Sequence, residues 1–219
     1  MIPHTTPDAV RWYDDLTVNG VPYPTRHPVP PRFRTGTANA RALFTADGLS
    51  EAQYTEMVAA HELGHALVWL AGGLHVPGLS THADGQFGGH TTVKATGAPD
   101  ECRTQVLGVV AGELAQDRWL RESGLWSEDR AALVETTAVR DRWIALDRIT
   151  PRPHFGGSGP GSDYTLIQAM AAQHLEHIWP LMATALPLLL RERVLTGREL
   201  ADHLGLPFAP PLRSGPAAA

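Results

Sequence analysis

The sequence predicts a mainly α-helical protein of the α+β class, in which a short β-sheet accompanies the helices. Apolar residues recur at helical spacing in several long segments between about residues 50 and 204. Among them, the stretch 74–95 is rich in glycine and β-branched residues, which is typical of one or two short strands. With 219 residues, of which 43% are hydrophobic, the chain is long enough for one domain with a substantial core.

Helix-end signals set the expected order of the helices. Ser50 is suited to cap a first helix that runs to about Leu70, where Gly72-Gly73 ends it. Thr196 and Glu199 have the spacing of a capping box for a short last helix. This last helix is predicted over about 197–204. Between the first and the last helix, we predict helices over about 100–121, 128–149, 163–178 and 181–194.

Composition divides the chain into three zones. Residues 1–42 carry seven prolines and little periodicity, which predicts an irregular N-terminal arm. Residues 43–206 form the expected domain, and residues 207–219, with Pro210-Pro211 and a closing run of alanines, predict a flexible tail.

Charge and hydropathy exclude several classes of partner. A net charge of −5 provides no basic surface for nucleic acid. The most apolar stretch, 181–190, contains Pro187 and is far shorter than the ~20 residues that span a bilayer. The single cysteine, Cys102, fits a reducing compartment, and the first residues do not resemble a signal peptide. We therefore expect a cytoplasmic protein without a membrane or nucleic-acid partner.

One motif points to chemistry: His61-Glu62-Leu63-Gly64-His65 on the first predicted helix. His61 and His65 lie four residues apart, so both imidazoles project from one face and can bind a single ion. Zinc accepts imidazole nitrogen and leaves a position for water. Glu62, beside the first histidine, is placed to act as general base toward that water.

A zinc site needs a third protein ligand, and the spacing leaves two acidic candidates. Glu113 lies on the second predicted helix with Asp117 four residues later, a spacing suited to a ligand and a neighbour that orients the site. Asp163 follows a glycine-rich loop and opens a helix. Spacing alone does not choose between Glu113 and Asp163.

The chain resembles the peptidase domain of FtsH-type metalloproteases over about residues 50–205. The resemblance rests on segments that occur in the order of that family: the zinc helix 61–68, the glycine-containing edge strand 85–92, the helix 109–117, the loop 158–163 and the closing helix and turn 188–200. It implies a helical zincin-like fold with a short edge strand beside the zinc helix. It also implies one zinc ion held by His61, His65 and Asp163, with Glu62 catalytic.

The resemblance further implies how substrate binds. An extended peptide, or a flexible segment of a protein, would add to the edge strand at Gly88, Gly89, His90 and Thr91. The chain contains no Gly-x-x-x-x-Gly-Lys-Ser/Thr loop, so the ATPase module of the family is missing. The expected function is therefore that of an ATP-independent zinc endopeptidase, a hydrolase.

Two other interpretations stay open at this point. The chain could be a binding or regulatory module that keeps a zinc site for structure and has little or no catalytic activity. Alternatively, it could be a peptidase whose proline-rich arm covers the cleft, with His27 or Asp14-Asp15 near the metal. The sequence predicts neither the oligomeric state nor the substrate.

Overall fold

Seven α-helices occupy most of the described chain in a computed structural model, which describes residues 11–14, 16–18, 21–34, 39–81, 88–149, 154–155 and 163–212. The mainly α-helical class is confirmed. The helices are α1 (Ala40–Ala46), α2 (Glu51–Ala71), α3 (Glu101–Glu122), α4 (Glu128–Thr137), α5 (Val139–Arg148), α6 (Tyr164–Glu192) and α7 (Gly197–Leu204). Within the described residues, no helix combines the length and the apolar character needed to span a membrane.

Capping signals predict the ends of α2 and α7 correctly. The Ser50 side chain accepts a hydrogen bond from the backbone N–H of Gln53, and the Gln53 side chain bonds back to Ser50. Thr196 and Glu199 form the same reciprocal pair at the start of α7. Each pair satisfies backbone N–H groups that have no partner within the helix, so the helix start is fixed locally.

The helix predicted over 128–149 is wrong, because the chain forms two helices there. α4 ends at Thr137, and α5 begins at Val139 after Ala138, whose ψ of 13° departs from the helical value. Pro151 and Pro153, which follow α5 in the sequence, lie outside the described residues.

The two helices predicted over 163–178 and 181–194 are a single helix, α6, which continues through Pro180 and Pro187. Each proline removes one hydrogen bond, but the buried stripe of α6 passes the first proline at unbroken three- and four-residue spacing. The stripe comprises Tyr164, Gln168, Ala171, Leu175, Ile178, Met182, Ala185 and Leu189. Packing along the whole stripe therefore outweighs the loss of these hydrogen bonds.

A three-stranded antiparallel sheet flanks the helices in the order β4-β3-β5. Its strands are β3 (Gly78–Ser80), β4 (His90–Thr91) and β5 (Val194–Thr196). Leu79 of β3 pairs with Thr91 of β4 on one side and with Leu195 of β5 on the other. β4 is thus an edge strand, as predicted, whereas β5 lies between the helices predicted over 181–194 and 197–204 and overlaps the first of them only at Val194. A two-stranded hairpin, β1 (Thr17–Val18) and β2 (Val21–Pro22), precedes the helices.

α2 is the central element of the fold and packs against α3 and α6. The contact with α3 is close at Gly64, where a Cβ atom would lie 2.6 Å from the Ala115 Cβ and 2.7 Å from the Ala111 carbonyl oxygen. A larger residue at this point would force the helices apart. The packing fixes α3 next to the histidine-bearing face of α2.

The described part of the N-terminal arm forms hydrogen bonds within itself and with the helices. Tyr13 and Thr25 exchange backbone hydrogen bonds, and the Trp12 indole N–H donates to the Thr165 hydroxyl at 3.0 Å. The tail is also attached in part: the Leu212 N–H donates to the Ala95 carbonyl, and His75 Nδ1 lies 2.9 Å from the Ala209 carbonyl oxygen. Residues 213–219 of the predicted tail lie outside the described residues.

Candidate metal centre

Three side chains converge between α2 and α5, and we call them the metal triad: His61, His65 and Asp141. The Nε2 atoms of the two histidines are 3.0 Å apart. Oδ2 of Asp141 lies 3.1 Å from Nε2 of His61 and 3.5 Å from Nε2 of His65. One turn of α2 supplies both imidazoles, as the motif predicts, and this group could hold a metal ion.

Acceptors on α3 orient both imidazoles. His65 Nδ1 lies 2.8 Å from the Gly108 carbonyl oxygen, and His61 Nδ1 lies 3.2 Å from Oε1 of Gln116. A carbonyl or amide oxygen can only accept, so each Nδ1 carries the hydrogen and donates it. In the neutral imidazoles, the lone pairs on Nε2 therefore point at one another and at the carboxylate.

This convergence of acceptors requires a positive charge at its centre. Two imidazole lone pairs and a carboxylate within 3.5 Å repel one another unless a proton or a metal cation lies among them. Burial by itself lowers the pKa of His65, but the Asp141 carboxylate outweighs it and raises that pKa to about 9. The same interaction holds the pKa of Asp141 well below its usual range, although burial acts in the opposite direction.

Neighbouring residues also fix the His65 ring by contact. A Cβ atom at Gly112 would lie 2.3 Å from Cε1 and 2.5 Å from Nε2 of His65, so any side chain there would displace the ring. On its other side the ring stacks on Trp69 at 5.4 Å between centroids. The histidine is thus held between a helix backbone and an aromatic face, which leaves little freedom to reorient.

Glu62 lies beside the metal triad and contacts the edge strand. Oε2 of Glu62 accepts a hydrogen bond of 2.6 Å from the Thr91 hydroxyl. A Cβ atom at Gly89 would lie 2.5 Å from Oε1 of Glu62, so the glycine allows the strand to approach the carboxylate. Glu62 is 5% exposed. It therefore has a defined position, set by the strand that sequence analysis assigned to substrate.

A single cavity of about 240 Å³ contains these groups. Its lining includes the metal triad, Glu62 and all four residues predicted to form the substrate strand, namely Gly88, Gly89, His90 and Thr91. Apolar side chains flank this polar centre, namely Phe44, Val58, Trp69, Val109 and Ile144. The candidate general base, the candidate ligands and the edge strand thus share one space.

Asp163 does not join the metal triad, contrary to what the resemblance implies. Its carboxylate accepts the backbone N–H of Thr165 at 2.9 Å and caps the start of α6. The residue also forms a β-bridge with His154. Asp141 on α5 takes the position among the histidines that was assigned to Asp163.

Glu113 and Asp117, the alternatives from the second helix, are held by arginines. Asp117 lies near the surface, where Arg121 and the Trp126 indole N–H bond to it. Glu113 belongs to what we call the buried ion cluster, which comprises Glu113, Glu135 and Arg142. Neither acid is a member of the metal triad.

In the buried ion cluster, one guanidinium bridges two carboxylates. Nε and one terminal nitrogen of Arg142 donate to the two oxygens of Glu113 at 2.8 and 2.7 Å, and the same terminal nitrogen lies 2.8 Å from Oε2 of Glu135. Its other terminal nitrogen donates to the Pro24 carbonyl oxygen at 2.6 Å. All three side chains are at most 2% exposed.

The arm residue expected near a metal, His27, lies in this second region. Its Nδ1 is 2.6 Å from Oε1 of Glu135. None of the described residues between 11 and 34 lines the cavity. Asp14 is exposed, and Asp15 lies outside the described residues. Residues 11–34 therefore contact the fold away from the cleft, and in the described part of the arm only Ala40, at the start of α1, lines the cavity.

Sequence reasoning missed Asp141 and the orienting role of Gln116. The available signal for Gln116 was its position one residue before Asp117 in the helix that resembles the orienting helix of the family. Asp141 carries no motif, since it is one acid among several in a polar stretch. It lies on α5, which packs against α3, and its carboxylate reaches the histidines across the helices.

Comparison with known proteins leaves the family open. No protein-family model matches the chain, and no curated protein sequence matches it.

Proposed function

We propose that this protein is a zinc-dependent, ATP-independent endopeptidase with Glu62 as general base. The observation that carries the proposal is the convergence of the metal triad in a cavity that also contains Glu62 and the edge strand β4. A site that holds metal only for structure has no need of a carboxylate base beside the ion, whereas a hydrolytic site does.

The donor set and its spacing fit zinc. Two imidazole nitrogens and one carboxylate oxygen are a ligand set of catalytic zinc sites, which keep a further position open. Tetrahedral bonds of about 2.0–2.1 Å separate ligand atoms by about 3.3 Å. The three separations here, 3.0, 3.1 and 3.5 Å, bracket that value. The cavity beside the triad provides room for water and substrate.

When bound, zinc lowers the pKa of a water molecule and polarises the scissile carbonyl. The residues of the chain supply the remaining functions. Glu62 takes up the proton of the attacking water and delivers it to the leaving amine. The Thr91 hydroxyl, 2.6 Å from Oε2, holds that carboxylate toward the cavity. The open edge of β4 binds an extended peptide through its backbone, and Gly89 keeps the path to Glu62 clear.

The decisive experiment replaces Glu62 by glutamine. Glu62→Gln keeps the shape of the side chain but removes the base, so we expect unchanged zinc content and melting temperature with loss of at least about 100-fold in cleavage rate. The substrate is an unstructured protein such as casein, without ATP. Glu56→Gln, on the same helix and outside the cavity lining, is the matched control and should cleave normally.

Two outcomes would contradict the proposal. Undiminished cleavage by the Glu62→Gln variant would exclude the assigned base. Stoichiometric zinc in the unaltered protein, without cleavage across a broad library of peptides and unfolded proteins, would favour the binding or regulatory module instead.

A further inference from the structure

The wall of the cavity formed by α5 carries two arginines that no part of the proposed reaction uses. Arg140 and Arg148 both line the cavity, on the same stripe of α5 as Asp141 and Ile144. Both arginines are exposed. Their spacing of eight residues places them about two turns apart on one side of the helix.

The positive charge of these arginines is not neutralised within the described structure. No hydrogen bond or ion pair joins the Arg140 side chain to any residue that the structure describes. Arg148 donates to the neutral amide oxygen of Gln105 at 2.6 Å and, among described residues, forms no ion pair with a carboxylate. The acidic residues of the cavity lining, Glu62 and Asp141, are the proposed base and metal ligand. The charge of the cavity wall that remains available to contact a substrate is therefore positive.

This local charge is opposite in sign to that of the whole chain. The net charge is −5, so the protein as a whole repels anions weakly and at long range. Selection for an anionic group must therefore come from short-range contacts inside the cavity. Arginine is suited to this because its planar guanidinium binds a carboxylate through two parallel hydrogen bonds.

We propose that the cavity selects peptide segments with acidic side chains flanking the scissile bond, through Arg140 and Arg148. This inference rests on the proposed peptidase function. Eight residues of α5 rise about 12 Å, a length that an extended peptide covers with about four residues at about 3.3 Å each. Asp141 follows Arg140 directly, so Arg140 serves the position nearest the metal and Arg148 a position about four residues away.

Binding to the inactive variant tests the proposal without requiring cleavage. Zinc-loaded Glu62→Gln protein is titrated into fluorescent peptides of one length that carry Glu, Gln or Lys at each position within four residues of the centre. We expect peptides with a well-placed Glu to bind about two- to fivefold more tightly than their Gln counterparts, the range for exposed ion pairs. The preference should shrink in 500 mM salt.

Charge-removing variants identify the residues responsible. Arg140→Gln with Arg148→Gln, in the Glu62→Gln background, should reduce the Glu-to-Gln affinity ratio to about one. Arg103→Gln with Arg191→Gln removes the same net charge from exposed positions outside the cavity lining and should leave the ratio unchanged.

Equal affinity for Glu and Gln peptides, tighter binding of Lys peptides, or no binding of any peptide would overturn the inference. A ratio that survives the double variant would overturn the assignment to Arg140 and Arg148. The two proposals fail separately. Cleavage without a charge preference leaves the peptidase proposal intact, whereas a charge preference in binding without cleavage by the unaltered protein removes only the peptidase.

Discussion

The metal triad and the buried ion cluster share one helix, α5, yet have opposite chemistry. Asp141 and Arg142 are neighbours on α5, and each points into a different group of charges. The cluster combines a cation with two carboxylates and a carbonyl, so its hydrogen bonds are complete within the chain. The triad combines acceptors alone and needs a cation from outside.

The metal triad and the buried ion cluster differ in their access to solvent. The cluster is closed off by α3, α5 and the arm segment near Pro24, and its members are at most 2% exposed. The triad borders the cavity, where an ion and a substrate have access. Complementary charges in a closed space stabilise a fold, whereas uncompensated acceptors at an opening provide a binding site. Adjacent residues of one helix thus have separate roles.

The largest effect is expected from removal of the cation of the buried ion cluster. Arg142→Met removes the guanidinium that the buried Glu113 and Glu135 share and leaves only Arg26, 3.9 Å from Glu113, and His27, beside Glu135. This should lower the free energy of unfolding by about 3–5 kcal/mol. Chemical denaturation of the metal-loaded protein measures this. Arg118→Met removes an arginine from the more exposed pair with Glu122 and should cost under about 1 kcal/mol. Equal losses in the two variants would abolish the distinction drawn between buried and exposed pairs.

The second-largest effect is expected on metal affinity and distinguishes Asp141 from Asp163 as the third metal ligand. Loss of a residue that merely orients a ligand costs about 10–100-fold in metal affinity, so Asp141→Asn should cost at least about 100-fold. Asp163→Asn should change the affinity less than about threefold, because asparagine still caps α6. Competition with a chromophoric chelator reports both values. The reverse ranking would restore the ligand set that the resemblance implies.

The smallest effect concerns protons, which compete with metal at the triad. Asp141 raises the pKa of His65 to about 9 in the folded protein, above the usual 6.5. The stability from this charged pair is therefore complete below about pH 6.5 and is lost as the pH rises through about 9. Zinc affinity changes in the opposite direction, rising about tenfold per pH unit up to about pH 9.

Calorimetry in buffers of different ionisation enthalpy counts the proton released when zinc binds, and thermal melts follow the metal-free protein. Asp141→Asn is the control, since it removes the carboxylate that raises the pKa and should flatten both pH dependences. A melting temperature of the metal-free protein that does not fall in alkali would contradict the assignment. The buried ion cluster responds to acid instead. Burial raises the pKa of Glu135, but hydrogen bonds from His27 and Arg142 outweigh it and lower that pKa. The stability that the Glu135 carboxylate contributes is therefore lost as the pH falls below about 4.5.

The sequence predicted those features that depend on residues close together in the chain. The starts of α2 and α7 follow from capping residues three positions apart, and the pair His61 and His65 follows from the four-residue helical repeat. Such features need only a few neighbouring residues. The edge strand beside Glu62 was implied by the family resemblance instead, because Thr91 lies 29 residues after Glu62 in the sequence.

The third member of the triad depends on packing between helices that are distant in sequence. Asp141 lies 80 residues after His61, on a helix that is separate from α4. No local pattern of the sequence encodes a contact over that distance along the chain. Likewise, the continuity of α6 through Pro180 depends on a buried stripe that packs on other elements, which overrides a local helix-breaking signal.

The separation of α4 from α5 has a consequence for how the gene tolerates length changes. Removing or adding one residue at Ala138 rotates every later position of α5 by about 100°. A deletion would turn Arg142 toward the direction now taken by Asp141, and both ionic groups would lose their α5 member in one step. Substitutions at α5 act on one group at a time, whereas a frame-preserving indel acts on both. The ten residues of α5 thus form the stretch in which the count of amino acids matters as much as their identity.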